Sequence, residues 1–259
     1  MNKATRIVIA VLLAGVVVFA GAQLGMYAYE RMDDVALSDE LVEIANSPID
    51  PDDEYVFEDP DAQNRLRTYA RRLFGKAAPG GAPISGSQKK ASLNAAQKRK
   101  VNLPALKKKN KDIIAWISIP NMAVDYPVLK GKDNSYYLTR NAVKKRSSAG
   151  ALFMDSKLKS NFTSSDTIIY GHNMRDGTKF GSLSKYRDKK FRKNHQYIYV
   201  YTPKATLKYR VTSTFRTSAK KLNPDRSKTR TLSLVTCEGK QEHYVVRAKL
   251  VSSKPPGKK

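Results

Sequence analysis

The chain is poor in the residues that usually staple or metallate a protein: one cysteine, three histidines and one tryptophan in 259 residues. A single cysteine excludes intramolecular disulfides. With three dispersed histidines it offers no zinc-ligand spacing, so no metal is expected. No Gly-rich loop follows a strand-like run to cradle a phosphate, so no cofactor is expected either. No internal repeat is visible. Charge is absent from Ile7 to Tyr29, and acid is absent from Arg65 to Lys111.

The uncharged run matches the ~20 residues needed to cross a bilayer as a helix. Lys3 and Arg6 precede it, while Glu30, Arg31, Asp33 and Asp34 come directly after it. The positive-inside bias then keeps the N-terminus in the cytoplasm and exports the remainder of the chain. Ala20-Gly21-Ala22 offers a competing reading as a signal-peptide cleavage site. The uncleaved anchor is preferred, because the run continues through Leu24, Met26, Tyr27 and Tyr29 with aromatics at its outer boundary. In either case the lone thiol leaves the reducing cytosol, where it is oxidised unless it is used or buried.

Residues 33 to 61 are acidic, and Val35, Leu37, Leu41, Val42 and Ile44 pattern as a short helix ended by Pro48. The next stretch is basic and carries a Gly/Pro/Ala/Ser tether at residues 77–87. The net charge of +25 suggests nucleic acid. Topology argues against it, since a basic segment outside a membrane meets anionic headgroups or wall polymer, or is a self-repelling solvated linker. The division expected is a cytoplasmic tail at 1–6, a transmembrane anchor at 7–29, an acidic-then-basic linker at 30–102, a catalytic domain at 103–251 and a basic tail at 252–259.

Within 103–251, Pro104 to Asn110 reads as a helix packing Leu106, and a helical stretch falls around Phe180 to Tyr186. Strand-like runs occur at Ile113–Ile119, Met122–Leu129, Ala151–Met154, Thr167–Tyr170, Gln196–Thr202 and Thr206–Phe215. Thr231–Thr236 and Tyr244–Leu250 then form a hairpin. Pro127 marks the second run as an edge. The pattern predicts a mainly β fold, an antiparallel barrel or sandwich of seven or eight strands with short appended helices.

Cys237 ends the first strand of the hairpin, where a rigid sheet can hold a nucleophile and still expose it. A space-filling buried cysteine is the alternative. His172 stands just past another strand end, in the segment Ile168–Lys179 (IIYGHNMRDGTK). His195 reads as a helix-to-strand connector.

TLSLVTC at 231–237, YGHNM at 170–174, the segment Lys111–Leu138 and GALFMD at 150–155 occur together and in order, and jointly resemble a class B sortase over residues 103–251. The resemblance implies a closed β-barrel and a membrane-anchored cysteine transpeptidase of Gram-positive bacteria. Its expected partners are surface proteins bearing a C-terminal sorting signal, and an amine acceptor on peptidoglycan precursor or pilin. It implies Cys237 as nucleophile and His172 as acid-base. The third role goes to an arginine some ten residues after the cysteine, which Arg247 satisfies by count. Strand register gives that position to His243, because the intervening loop is short, and would leave Arg247 ~13 Å along the strand. Arg247 is preferred as a bidentate cation, with His243 the competitor. Thr236 and Glu238 match the family as substrate contacts, whereas Val235 stands where class B members commonly carry a serine. The non-enzymatic alternative is a membrane-anchored basic wall-binding protein, in which Cys237 is buried or dispensable.

Overall fold

The computed structural model describes residues 3–49, 95–218, 221–222, 229–238 and 242–256. The sequence-predicted tether at 77–87 and the tip of the final hairpin lie outside these residues.

Helix α1 spans Lys3–Asn46 without interruption. The sequence pattern divides this region into an anchor and a separate short helix. The two fuse because Glu30 to Val35 contains no glycine or proline to break the hydrogen-bond ladder. Pro48 stands just beyond the end of the helix. The C-terminal part of α1 packs Leu41, Val42 and Ala45 against Leu103 and Leu106 of α2 (Leu103–Lys109), together with Trp116 and Tyr137. Asn102 caps α2 through the Ala105 amide and also bonds Ser47 and the Pro48 carbonyl, tying the two helices together.

Eight strands form a closed barrel: β1 (Ile113–Ser118), β2 (Asp125–Leu129), β3 (Leu152–Met154), β4 (Asp166–Tyr170), β5 (Tyr197–Tyr201), β6 (Thr206–Ser218), β7 (Thr231–Glu238) and β8 (Glu242–Lys254). Their order around the barrel is β1-β2-β3-β4-β7-β8-β6-β5, closed by β1 against β5. Two ladders, β2–β3 and β4–β7, are parallel, so the barrel is mixed rather than antiparallel. Long excursions after β2 and β4 return the chain in the same direction. Pro127 therefore sits inside the closed sheet. Its missing N–H is tolerated because pairing with β3 begins only at Val128. The helical stretch after β4 is a 3-10 helix (Gly181–Arg187) succeeded by α3 (Lys189–Asn194).

Side chains alternate between two environments on β7 and β8. Leu232, Leu234, Tyr244, Val246 and Ala248 join the barrel interior with Ile169, while Val235 and Val245 pack with Ile168 in a separate outer cluster. Cys237, His243 and Arg247 belong to the outer row.

Candidate active site

Cys237 lies at the last turn of the β7 ladder, exposed, with His243 as its cross-strand partner. The opposing residues of such a pair stand ~5 Å apart at Cα. His172 arrives from β4, the parallel neighbour of β7, one residue past the point where the Gly171 amide bonds the Val235 carbonyl. These elements open onto a cavity of about 230 Å³ lined by Cys237, His172, His243, Val235, Tyr170, Leu138 and Asn134 among others.

The imidazole of His172 is oriented by its surroundings. Nε2 stands 2.7 Å from the Leu138 carbonyl oxygen, which only accepts, so Nε2 carries a proton and Nδ1 is left for proton exchange. The backbone carbonyl of His172 is held by the Phe180 amide at 3.0 Å. Two glycines make this packing possible. A side chain at Gly171 would overlap Leu152 and the Phe180 ring, and one at Gly150, where φ is +56°, would press on the Tyr137 and Leu138 carbonyls and on His172 Cδ2. These are the glycines of the YGHNM and GALFMD segments.

Tyr170 and Asn134 form the wall through a shared acceptor, each bonding Asp155 Oδ2 at 3.0 Å. Burial first, then the Asp155 charge and hydrogen bond, hold the Tyr170 phenol well above its ordinary range, so it stays neutral. Burial lowers the His243 imidazole below its usual value, and its Nδ1 is buried with no hydrogen-bond partner.

Arg247 is not brought to this cavity. It pairs with Ser233, four residues before Cys237, a separation of ~13 Å along the strand. Its Nε donates to Ser233 Oγ at 3.0 Å, its Nη2 stands 3.3 Å from Asp166 Oδ2, and its guanidinium lies over the Phe215 ring. Asp166 is fully buried and also receives hydrogen bonds from Thr231 and Ser233. Thr236 is buried on the face opposite Cys237, its hydroxyl without a hydrogen-bond partner, so it offers the cavity no side chain. The Glu238 side chain lies outside the described residues. His195 caps α3 and stacks on Phe191, away from the cavity.

A groove of equal volume runs between α2 and the β5–β6 turn, lined by Ile49, Val101, Leu103, Tyr201 and Pro203 with Lys100 and Lys107. No cysteine or histidine lines it. Among the described residues no cluster of three or more His, Cys, Asp or Glu is placed to hold a metal ion.

A small closed barrel presenting one exposed thiol beside an oriented imidazole, at the ends of adjacent strands, is the framework of a cysteine-dependent acyl-transfer domain. Residues 117–251 match the family model described as a sortase domain, and the chain belongs to the sortase family. It is 46% identical over 86 residues to Sortase B of Listeria monocytogenes, covering 33% of this chain and 35% of that protein. It is 33% identical over 116 residues to Sortase B of Staphylococcus aureus, covering 45% and 48%. The matched stretches thus span between a third and a half of these relatives. The X-ray structure of Clostridium perfringens sortase B superposes with a TM-score of 0.53 at 26% identity, over 58% of this chain and 100% of that one. All three of these relatives are sortase B proteins, so it is class B members of the family that the chain is similar to.

Proposed function

We propose that this protein is a sortase-type cysteine transpeptidase that cleaves a C-terminal sorting signal through a thioester on Cys237 and transfers the acyl group to an amine of cell wall precursor or pilin. The observation that carries the reading is the convergence of Cys237, His172 and His243 on one open cavity. In the reactive state the thiol proton has passed to His172. The Cys237 sulfur attacks the scissile carbonyl carbon, and the tetrahedral intermediate collapses by expelling the amine, which takes its proton from His172. An incoming amine then attacks the thioester, gives a proton to His172 and releases the thiolate.

The oxyanion formed in both steps needs a donor. Of the two residues the sequence offers for it, the geometry favours His243, which lines the cavity opposite Cys237, over Arg247, whose guanidinium is engaged by Asp166 and Ser233. A neutral imidazole N–H supplies such a bond without a full positive charge. Val235 lines the cavity where class B members commonly carry a serine, so the preferred signal has an apolar group there instead of an amide.

The substrates on this reading are surface proteins bearing sorting signals. Residues 7–29 anchor the enzyme, with its N-terminus cytoplasmic and its barrel outside. Among the described residues no helix is long and apolar enough to cross a membrane. The side chains of residues 7–11 and 14 lie outside that set. What supports the anchor is the exposure of every large apolar side chain described from Leu12 to Tyr29, between 52% and 72%, on all sides of α1.

The competing reading, a wall-binding protein with no chemistry, needs a buried or dispensable Cys237, and the thiol is exposed. Mass spectrometry of the protein with a panel of sorting peptides and amine acceptors tests the proposal. An acyl adduct on Cys237 and a ligated product are expected, while wall binding with no adduct from any peptide would favour the competitor.

A further inference from the structure

His172 is held by two loops, and α1 grips both of them. The loop at 172–180 returns to its start through the Phe180 amide, which donates to the His172 carbonyl at 3.0 Å. A bridge between Asn173 and Lys179 makes Asp176 to Thr178 its tip. Arg31 of α1 binds that tip, pairing with Asp176 and donating to Thr178 Oγ1 at 3.3 Å. The second loop runs from Thr139 to Gly150 and begins beside the Leu138 carbonyl that receives His172 Nε2. Ser147 closes it, its amide donating to the Thr139 carbonyl at 3.0 Å and its carbonyl accepting from the Gly150 amide at 3.3 Å. The Ser147 hydroxyl donates to the buried Asp34, three residues after Arg31 on the same face of α1. Asn141 Nδ2, in the same loop, stands 3.5 Å from that carboxylate.

These contacts exceed what docking of the helix requires, since Leu41, Val42 and Ala45 already fix α1 to the core further along. Arg31 and Asp34 stand 3.9 Å apart, so one pair of charges joins the two loops. Lys179, at the exit of the first loop, has a left-handed backbone with φ +50° and a buried ammonium over the Tyr126 ring. Burial disfavours that charge, and the Asp34 and Asp176 carboxylates offset part of the cost. Such a backbone persists where its surroundings over-determine it. An ion pair with the half-exposed Asp176 adds little to global stability. It can still decide where a loop sits, and through the loop where an imidazole sits.

We propose that Arg31 and Asp34 are positioning residues for the acid-base step. Through Asp176 and Ser147 they hold the two loops that fix the His172 imidazole, keeping Nε2 on the Leu138 carbonyl and leaving Nδ1 for proton exchange. Neither lines the Cys237 cavity. This rests on His172 being the acid-base of the proposed reaction.

The test uses the full-length protein in detergent micelles with a sorting peptide that the parent accepts. Arg31→Ala should lower kcat by about 10- to 100-fold, the scale set by a misplaced reacting group, with KM within about two-fold. Arg31→Lys, which keeps the charge, should recover most of the rate. Asp176→Ala should match Arg31→Ala, and the double variant should be no worse than either. Ser147→Ala cuts the other arm and should move kcat the same way. Glu40→Ala removes an exposed pair with Lys109 further along α1 and should leave the rate unchanged. Isotope labelling of the histidines gives a magnetic-resonance readout at the imidazole itself. The His172 Nε2 proton, assigned by its loss in His172→Gln, should be resolved in the parent and lost to solvent exchange in Arg31→Ala. Parental kcat in both Arg31→Ala and Ser147→Ala, an equal loss in Glu40→Ala, or a slow Arg31→Ala that keeps the Nε2 proton overturns the inference. A His172→Gln variant that turns over like the parent removes the acid-base role instead, and the inference with it.

Discussion

The β7–β8 ladder carries a polar cluster at each end, and the two differ in satisfaction. At the inner end Asp166, Thr231, Ser233 and Arg247 bond one another, and Asp166 is fully buried. At the outer end Cys237 and His243 are cross-strand neighbours that line one open cavity, the thiol exposed and His243 Nδ1 unpartnered. A saturated network holds strands together, whereas groups left unsatisfied at a cavity are available to a ligand. On the proposed function the contrast gives Arg247 a part in stability and His243 the chemical part, although counting residues from the cysteine gives the opposite answer.

Substitutions separate the two ends most sharply by size of effect. Cys237→Ala should abolish adduct formation and lower turnover by at least about 10⁴-fold, since removal of a nucleophile leaves only residual binding effects. Circular dichroism should show an unchanged fold. His243→Ala should slow acyl transfer by about 100- to 1000-fold, the usual loss for one oxyanion donor, with stability within about 1 kcal/mol of the parent. Arg247→Ala should behave in reverse. It strips the buried Asp166 carboxylate of its cation at a cost of about 3 kcal/mol, seen as a lowered urea midpoint, while the folded fraction turns over within a few-fold of the parent. If R247A stays stable and dead, the roles given to the two ends are exchanged.

Gly171→Ala tests the support beneath His172. The added methyl meets Leu152 and Phe180, and about 1–3 kcal/mol of destabilisation is expected from overpacking. The smallest effect is one of pH. Burial depresses the His243 imidazole below its usual 6.5, so just below that pH the unfolded chain takes up a proton the folded chain refuses. Stability should therefore fall as pH drops from about 6.5 through the lowered value, and His243→Gln should flatten that part of the urea-midpoint profile.

Much of the fold was legible in the sequence, because local pattern determines it. The alternating runs located all eight strands, Leu106 marked the buried face of α2, and the short loop after Cys237 set a register that opposes it to His243. What was not legible is non-local. Parallel pairing of β4 with β7 brings Asp166 under Arg247 from 81 residues away, and no spacing within the hairpin hints at that acceptor. A longer separation, 145 residues, hid the grip of Arg31 on Asp176. The inward turn of Thr236 was available from strand alternation, since its neighbour Cys237 faces out. Gly150 and Gly171 stood within recognisable segments, but the need for them comes from Tyr137, Leu138, Leu152 and Phe180 approaching from other strands and loops.

The most direct test is single-turnover acylation monitored by intact mass spectrometry, with a sorting peptide accepted by the parent enzyme and with H243A and R247A compared on folded protein. The Cys237 adduct should form in R247A at close to the parental rate and be slowed by at least about 100-fold in H243A. Rapid acylation of H243A with none in R247A would contradict the assignment of the oxyanion to the residue opposite the thiol.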